Sequence, residues 1–132
     1  MARDRSIDDY HAGLAPEDRE IAEILAREIE RGLPEAMGKV WHAHPVWFLD
    51  GNPIVGYSRL KDAMRLMFWS GQSFPVAGLS ASGTFRAADV RLTSADEIDI
   101  ERLAQWLAAS RDIQWDYEHI RTNRGLVPRT AF

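Results

Sequence analysis

Apolar residues recur at helical spacing near the N-terminus: Ile21, Ile24, Leu25 and Ile29 share one side, while Glu20, Glu23, Arg27, Glu30 and Arg31 fall elsewhere. Pro16 opens this segment with Glu17 and Asp18 behind it, and Gly32 and Pro34 close it. The pattern predicts an amphipathic helix from about Pro16 to Arg31. A shorter helix is predicted ahead of it, capped by Ser6, with Asp8 and Asp9 in the first turn, running through His11 and ended by Gly13.

From Lys39 to Leu92 the helical period disappears. Short β-branched or aromatic runs take its place: Val40–His44, Val46–Leu49, Ile54–Ser58, Arg65–Trp69 and Phe85–Leu92. Asp50-Gly51 is a strong hairpin signal, and a longer loop from Ser70 to Gly83 precedes the last run. Close spacing without intervening helices implies antiparallel pairing. Helical spacing returns after Ser94 or Asp99, either of which can cap. Ile100, Leu103 and Leu107 make one apolar row, and Trp106, Ile113, Tyr117 and Ile120 a second. This predicts a helix that breaks near Ser110-Arg111-Asp112 and resumes through Ile120, with a frayed tail beyond Asn123-Arg124-Gly125. The expected architecture is therefore α+β: a two-layer sandwich whose antiparallel sheet of about five strands is covered by N- and C-terminal helices. It forms a single domain over residues 1–125, followed by a C-terminal tail at 126–132.

The balance of 45% apolar and 27% charged residues is that of a folded domain rather than a disordered chain. A net charge of −4 implies no broad basic surface, so nucleic acid is not the expected partner. The absence of cysteine excludes disulfides, thiolate zinc sites and thiol nucleophiles together. No apolar stretch suits a signal peptide or a membrane span, and a cytoplasmic location is expected. Five tryptophans in so short a chain mark either a thick core or a pocket wall.

Three stretches carry candidate chemistry. In Trp41-His42-Ala43-His44-Pro45-Val46-Trp47-Phe48, an extended backbone would project His42 and His44 from one face, where paired imidazoles can hold a metal with Asp50 completing the shell. The plainer alternative, surface imidazoles beside an edge proline, is the commoner fate of such a pair. Phe68-Trp69-Ser70-Gly71-Gln72-Ser73-Phe74 offers short polar groups framed by aromatics, which suits either a small-molecule site or an ordered turn leaving the core. Ile113–Ile120 is the third: Asp112, Asp116 and His119 offer an acidic-imidazole patch, or a hydrated helix face that Trp115 or Tyr117 anchors to the sheet. A ligand pocket would draw on Trp41, Trp47, Trp69, Gln72 and Trp115, with His42, His44 or Asp116 orienting the ligand. The acids of the first two helices, notably Asp8, Asp9, Glu17, Glu20 and Glu23, can gather hard cations, although Arg19, Arg27 and Arg31 interrupt them. No nucleotide fingerprint occurs and no catalytic constellation stands out.

Ile7-Asp8-Asp9-Tyr10, the Pro16-Glu17 helix, Leu33-Pro34-Glu35-Ala36 before the first strand, the Pro45-Val46-Trp47-Phe48 strand, the Phe85-Arg86 region and the Ile98-Asp99 helix through Leu103 together resemble the YdhG-like family, domain of unknown function 1801. The resemblance spans about Ser6 to Gly125. It implies a frataxin-like fold and an intracellular iron chaperone that binds metal weakly and passes it to an accepting protein. Iron is the cofactor so implied, with Asp8, Asp9, Glu17, Glu20 and Glu23 as oxygen ligands aided by His42 and His44. Two other readings of the same residues stand beside it: a small-molecule-binding domain with a Trp/His-lined pocket, and a protein-interaction module with a broad exposed aromatic patch.

Overall fold

The first strand of the sheet is preceded by two helices whose ends follow from local chemistry. In the computed structural model, which describes residues 3–83 and 85–129, α1 spans Arg5–Ala12 and α2 spans Pro16–Gly32. The cap of α1 is Asp4, whose carboxylate accepts from the Ser6 N–H at 2.8 Å, two residues ahead of the expected Ser6. Ser6 turns elsewhere: its hydroxyl accepts from the Val40 N–H at 2.9 Å and ties the helix to the sheet edge. α2 starts on Pro16 as expected and buries Ile21, Leu25 and Ile29 completely.

The sheet comprises β1 (Met37–Trp41), β2 (His44–Leu49), β3 (Asn52–Arg59), β4 (Met64–Phe68), β5 (Ser80–Ala81) and β6 (Ala88–Leu92). All neighbours are antiparallel in the order β1-β2-β3-β4-β6-β5. Six described strands thus stand where about five were expected. The expected Asp50-Gly51 hairpin is present, with positive φ of 48° and 82°. A second tight hairpin was not foreseen. His42 and Ala43 take φ of 52° and 71° and join β1 to β2, so the expected continuous strand Val40–His44 is two strands. Neither residue favours the left-handed region, and the turn carries none of the glycine or asparagine that would advertise it. Both edges are modest. The Asp4 N–H donates to the Gly38 carbonyl at 2.7 Å along β1, and β5 is two residues long.

Register divides the sheet cleanly. Trp47 of β2, Val55 and Tyr57 of β3, Met64, Leu66 and Phe68 of β4 and Leu92 of β6 share one side. They pack against α1, α2 and the last helix, α3 (Ile100–Asp112), through Ile7, Leu25, Leu103, Trp106 and Leu107. Gly32 lets α2 and α3 approach: an added Cβ would lie 2.9 Å from Leu107 Cδ1. Both proposed caps are used, Ser94 for a short 3₁₀ turn at Ala95–Glu97 and Asp99 for α3.

The helix does not resume after Asp112. Ile113 is extended, and Gln114–Asp116 run antiparallel to Val127–Arg129, with Asp116 N–H donating to the Val127 carbonyl at 2.7 Å and Arg129 N–H to the Gln114 carbonyl at 2.8 Å. Leu126–Arg129 therefore packs back instead of fraying. The cause is Asn52, wholly buried at the start of β3. Its amide nitrogen donates to Gln114 Oε1 (3.1 Å) and the Trp115 carbonyl (3.0 Å), and its oxygen accepts from the Tyr117 and Glu118 N–H groups at 2.9 and 3.1 Å. A helix through this segment would commit those backbone donors internally and leave Asn52 unpaired. We expect Asn52→Ala to lose about 2–4 kcal/mol in denaturant unfolding, the cost of stranding several buried polar groups. Trypsin should also reach the exposed Arg121 and Arg124 faster in that variant. Unchanged stability and cleavage would contradict the role given to Asn52.

A second buried polar contact joins α1 to the sheet: His11 Nε2 lies 2.5 Å from the Tyr57 hydroxyl. Burial, then the charge of Arg3, hold the His11 imidazole below its usual 6.5. An unfolded chain therefore takes up the proton first as pH falls. Stability should be full above about pH 6.5 and decline below it until the folded imidazole also titrates. Denaturant titrations from about pH 8 to 5.5 should show this decline, and His11→Gln should flatten it; equal slopes would remove His11 as its source.

Candidate functional site

The side of the sheet away from the helices carries a separate layer of aromatic residues. By register, Lys39 and Trp41 of β1, His44, Val46 and Phe48 of β2, Gly56 of β3, Arg65 and Met67 of β4, and Asp89 and Arg91 of β6 all face this way. The Trp41 ring lies 5.4 Å from Phe48 and 6.2 Å from Trp69 between centroids, and 4.2 Å from His42. Val46 is fully buried although it lies outside the helix-packed core, which makes the aromatic layer its roof. Trp41, Phe48 and Trp69 are themselves half-buried, and Met37 beside them is 63% exposed. Gly56 keeps the floor shallow: a Cβ there would sit 2.4 Å from the Pro45 carbonyl oxygen.

The C-terminal segment extends the aromatic row. The Tyr117 hydroxyl donates to the Trp69 carbonyl at 2.7 Å and accepts from the Arg86 N–H at 3.1 Å, while Phe85, 54% exposed, meets the Tyr117 ring edge-on. Burial raises the Tyr117 phenol above its ordinary pKa of 10.0, so this hydroxyl stays protonated and can donate. A groove of about 530 Å³ lined by Met37, Lys39 and Phe48 with Arg3 and Asp4 continues the surface past the β1 edge. Lys39 lies over the Phe48 ring at 5.2 Å.

The ligand-pocket residues named from the sequence part company. Trp41, His44 and Trp69 share the open face. Trp47 points the other way and is fully buried, with its indole N–H unpartnered beneath Gly38. Trp115 is fixed by its N–H to Ser73 Oγ at 2.9 Å and lies under the Arg86 guanidinium at 4.3 Å. Gln72 latches the loop by donating to the Phe85 and Ala87 carbonyls, each at 2.9 Å. The indole N–H groups of Trp41 and Trp69 have no protein acceptor among the described residues.

The metal-ligand residues named from the sequence are also dispersed. Asp8 and Asp9 are exposed on α1, with Asp8 paired to Arg3 at 2.9 Å. Glu17, Glu20 and Glu23 line an open groove of about 630 Å³ along α2 together with Arg19 and Arg27. His42 and His44 do not project from one strand face. The turn separates them, and His44 Nδ1 instead lies 3.0 Å from the His42 carbonyl oxygen. Burial, outweighing that hydrogen bond, holds the His44 imidazole below 6.5, with the Arg65 charge adding to the effect. Among the described residues, the group of acids and imidazoles close enough to share an ion is a different one, Asp116, Glu118 and His119. A guanidinium already stands there: Arg129 Nη1 is 3.3 Å from Asp116 and 3.0 Å from Glu118. Burial pushes the Asp116 carboxyl up, but hydrogen bonds from the His119 ring and backbone, its charge, and Asn123 together hold it below 3.8.

The open face was missed in the sequence because its residues come from five strands, and only the register shows which aromatics share a side. The alternation Lys39, Trp41 and His44, Val46, Phe48 was available, but it crosses an unsignalled turn.

A solved structure has the same fold: the crystal structure of a DUF1801-family protein, YdhG, from Bacillus subtilis matches with a TM-score of 0.61 over 77% of this chain and 85% of that one, at 20% identity. The YdhG-like resemblance read from the sequence thus holds for the fold. No protein-family model matches the chain, and no curated protein does.

The two sides of the sheet should respond differently to truncation. Trp47→Ala is expected to cost about 3–5 kcal/mol, the range for emptying a core aromatic site. Trp41→Ala and Trp69→Ala should each cost under about 2 kcal/mol, because half-buried rings surrender less area. Denaturant unfolding of the three variants checks the order, and equal losses would make the open face a second core.

Proposed function

We propose that this chain, with the fold of a DUF1801 protein, belongs with that family and acts as a non-catalytic binding module that docks a polypeptide segment on the open face of its sheet. The observation that carries this reading is the half-buried row Trp41, Phe48 and Trp69 on a sheet side that none of the described helices covers. Large aromatics with unspent N–H groups are the residues that anchor protein partners, and single surfaces of this kind are rare on proteins that bind nothing. The row is broad and shallow, which suits an extended chain better than a small molecule that must be largely enclosed.

Weak iron handling, the reading that the family resemblance brings, has less behind it. Its carboxylates lie along two helices with arginines between them, and Asp8 is already paired to Arg3. A closed ligand pocket has less still, since Trp47 and Trp115 are committed elsewhere.

Display of short random peptides tests the docking reading. Peptides selected on this protein should share apolar or aromatic anchors, shift the indole N–H resonances of Trp41 and Trp69, and fail on a Trp41→Ala/Trp69→Ala variant. Peptides that bind the double variant equally well, or that move only α2 resonances, would refute it.

A further inference from the structure

The open face is not chemically uniform. Its cross-strand rows run from Met37 and Phe48 at one end to Trp41, His44, Ser58, Arg65 and Arg91 at the other, aromatic toward β1 and cationic toward β4 and β6. Arg65 and Arg91 stand directly opposite one another on β4 and β6, an arrangement of like charges that destabilises a sheet unless a counterion is supplied. The carboxylate on this side, Asp89, serves Arg65 alone. Asp89 accepts from Arg65 Nε at 2.6 Å, and Arg65 also donates to Ser82 Oγ. Arg91 is exposed and has no ion-pair partner among the described residues. It lines a cleft of about 570 Å³ together with the hydroxyl-bearing Ser80 and Ser82 and with Asp89, whose charge Arg65 already answers. By register the face presents three cations, Lys39, Arg65 and Arg91, against the single Asp89, on a chain whose net charge is −4.

We infer that the segment docking on this face is acidic, with its apolar side chains on Trp41, Phe48 and Trp69 and a carboxylate seated between Arg91, the free edge of Arg65 and the Ser80–Ser82 hydroxyls. The inference rests on the docking role proposed above and adds the partner's charge. Among the described residues Arg65 Nη1 has no partner after the guanidinium serves Asp89 and Ser82, so a carboxylate can bridge the two guanidiniums without displacing Asp89. It would supply the negative charge the Arg65–Arg91 pair lacks. Complementarity of this kind favours the acidic partner and rejects basic ones, while the aromatic row supplies the contact area.

Polymers of defined charge separate the possibilities, with indole N–H signals of Trp41 and Trp69 and an arginine side-chain signal of Arg91 as readouts. A glutamate–tyrosine copolymer should shift all three, weaken as salt rises, and lose about tenfold in affinity with Arg91→Glu and less with Arg91→Gln. Both variants alter an exposed side chain, and unchanged spectra elsewhere verify their fold. Equal binding of a lysine–tyrosine copolymer would overturn the acidic preference while leaving the aromatic docking role intact. Binding of neither copolymer would remove that role and this inference together. Polyglutamate that binds as tightly without shifting the indoles would also overturn the inference, by reducing it to unspecific charge attraction. Tighter binding of oligothymidylate, which stacks bases on aromatics beside arginines, would assign the face to single-stranded nucleic acid instead.

Discussion

One buried carboxamide organises the C-terminal segment. Asn52 opens β3 and spends both donors and its acceptor oxygen on the backbone and side chains of residues 114–118, a stretch with no helix or strand of its own. An irregular segment must find partners for its peptide groups outside itself, and Asn52 supplies several at once in a site with no exposure. The described chain beyond Asp112, residues 113–129, is tied to the sheet first by this contact. Tyr117 then reaches the Trp69 carbonyl, Trp115 closes on Ser73, and Arg129 returns to the Asp50 carbonyl at 3.0 Å.

The sheet consequently serves two masters. Its helix-facing side is an ordinary core, in which Trp47, Tyr57, Phe68 and Leu66 meet α2 and α3. The other side has a thin aromatic cover of its own, enough to bury Val46 but not enough to hide Trp41 or Trp69. A two-layer architecture leaves this question open for any sheet: the uncovered face must be made polar, covered or used. Here polar and aromatic residues divide it by strand, with most of the charge gathered toward β4 and β6 and rings toward β1, β2 and the C-terminal segment.

How much of this the sequence discloses depends on whether the signal is local. α2 was legible because its apolar period, its opening proline and its closing glycine agree. The antiparallel pairing was legible from short spacings and from Asp50-Gly51, though not the placing of β6 between β4 and β5. The His42-Ala43 turn was not, since residues that rarely take positive φ are held there by pairing on both sides. That one turn undid the shared-face reading of His42 and His44. The C-terminal helix failed for a different reason. Ile113, Tyr117 and Ile120 keep a helical period, yet a single distant asparagine competes for the same backbone, and no local window contains Asn52 together with Gln114. The aromatic site needed register from several strands, so its members, Trp41, His44 and Trp69, were found individually but mixed with Trp47 and Trp115, which lie elsewhere.

The margins of the sheet have a consequence for the protein's solution life. Along β1 the Asp4 amide meets the Gly38 carbonyl and the Ser6 hydroxyl takes the Val40 amide, while β5 ends the opposite side after two residues. Exposed strand edges are the templates on which chains zip together into fibrils. With one flank occupied by the protein's own leading residues and the other too brief to nucleate a ladder, sticky rings can be displayed on the broad surface without inviting edge-to-edge polymerisation.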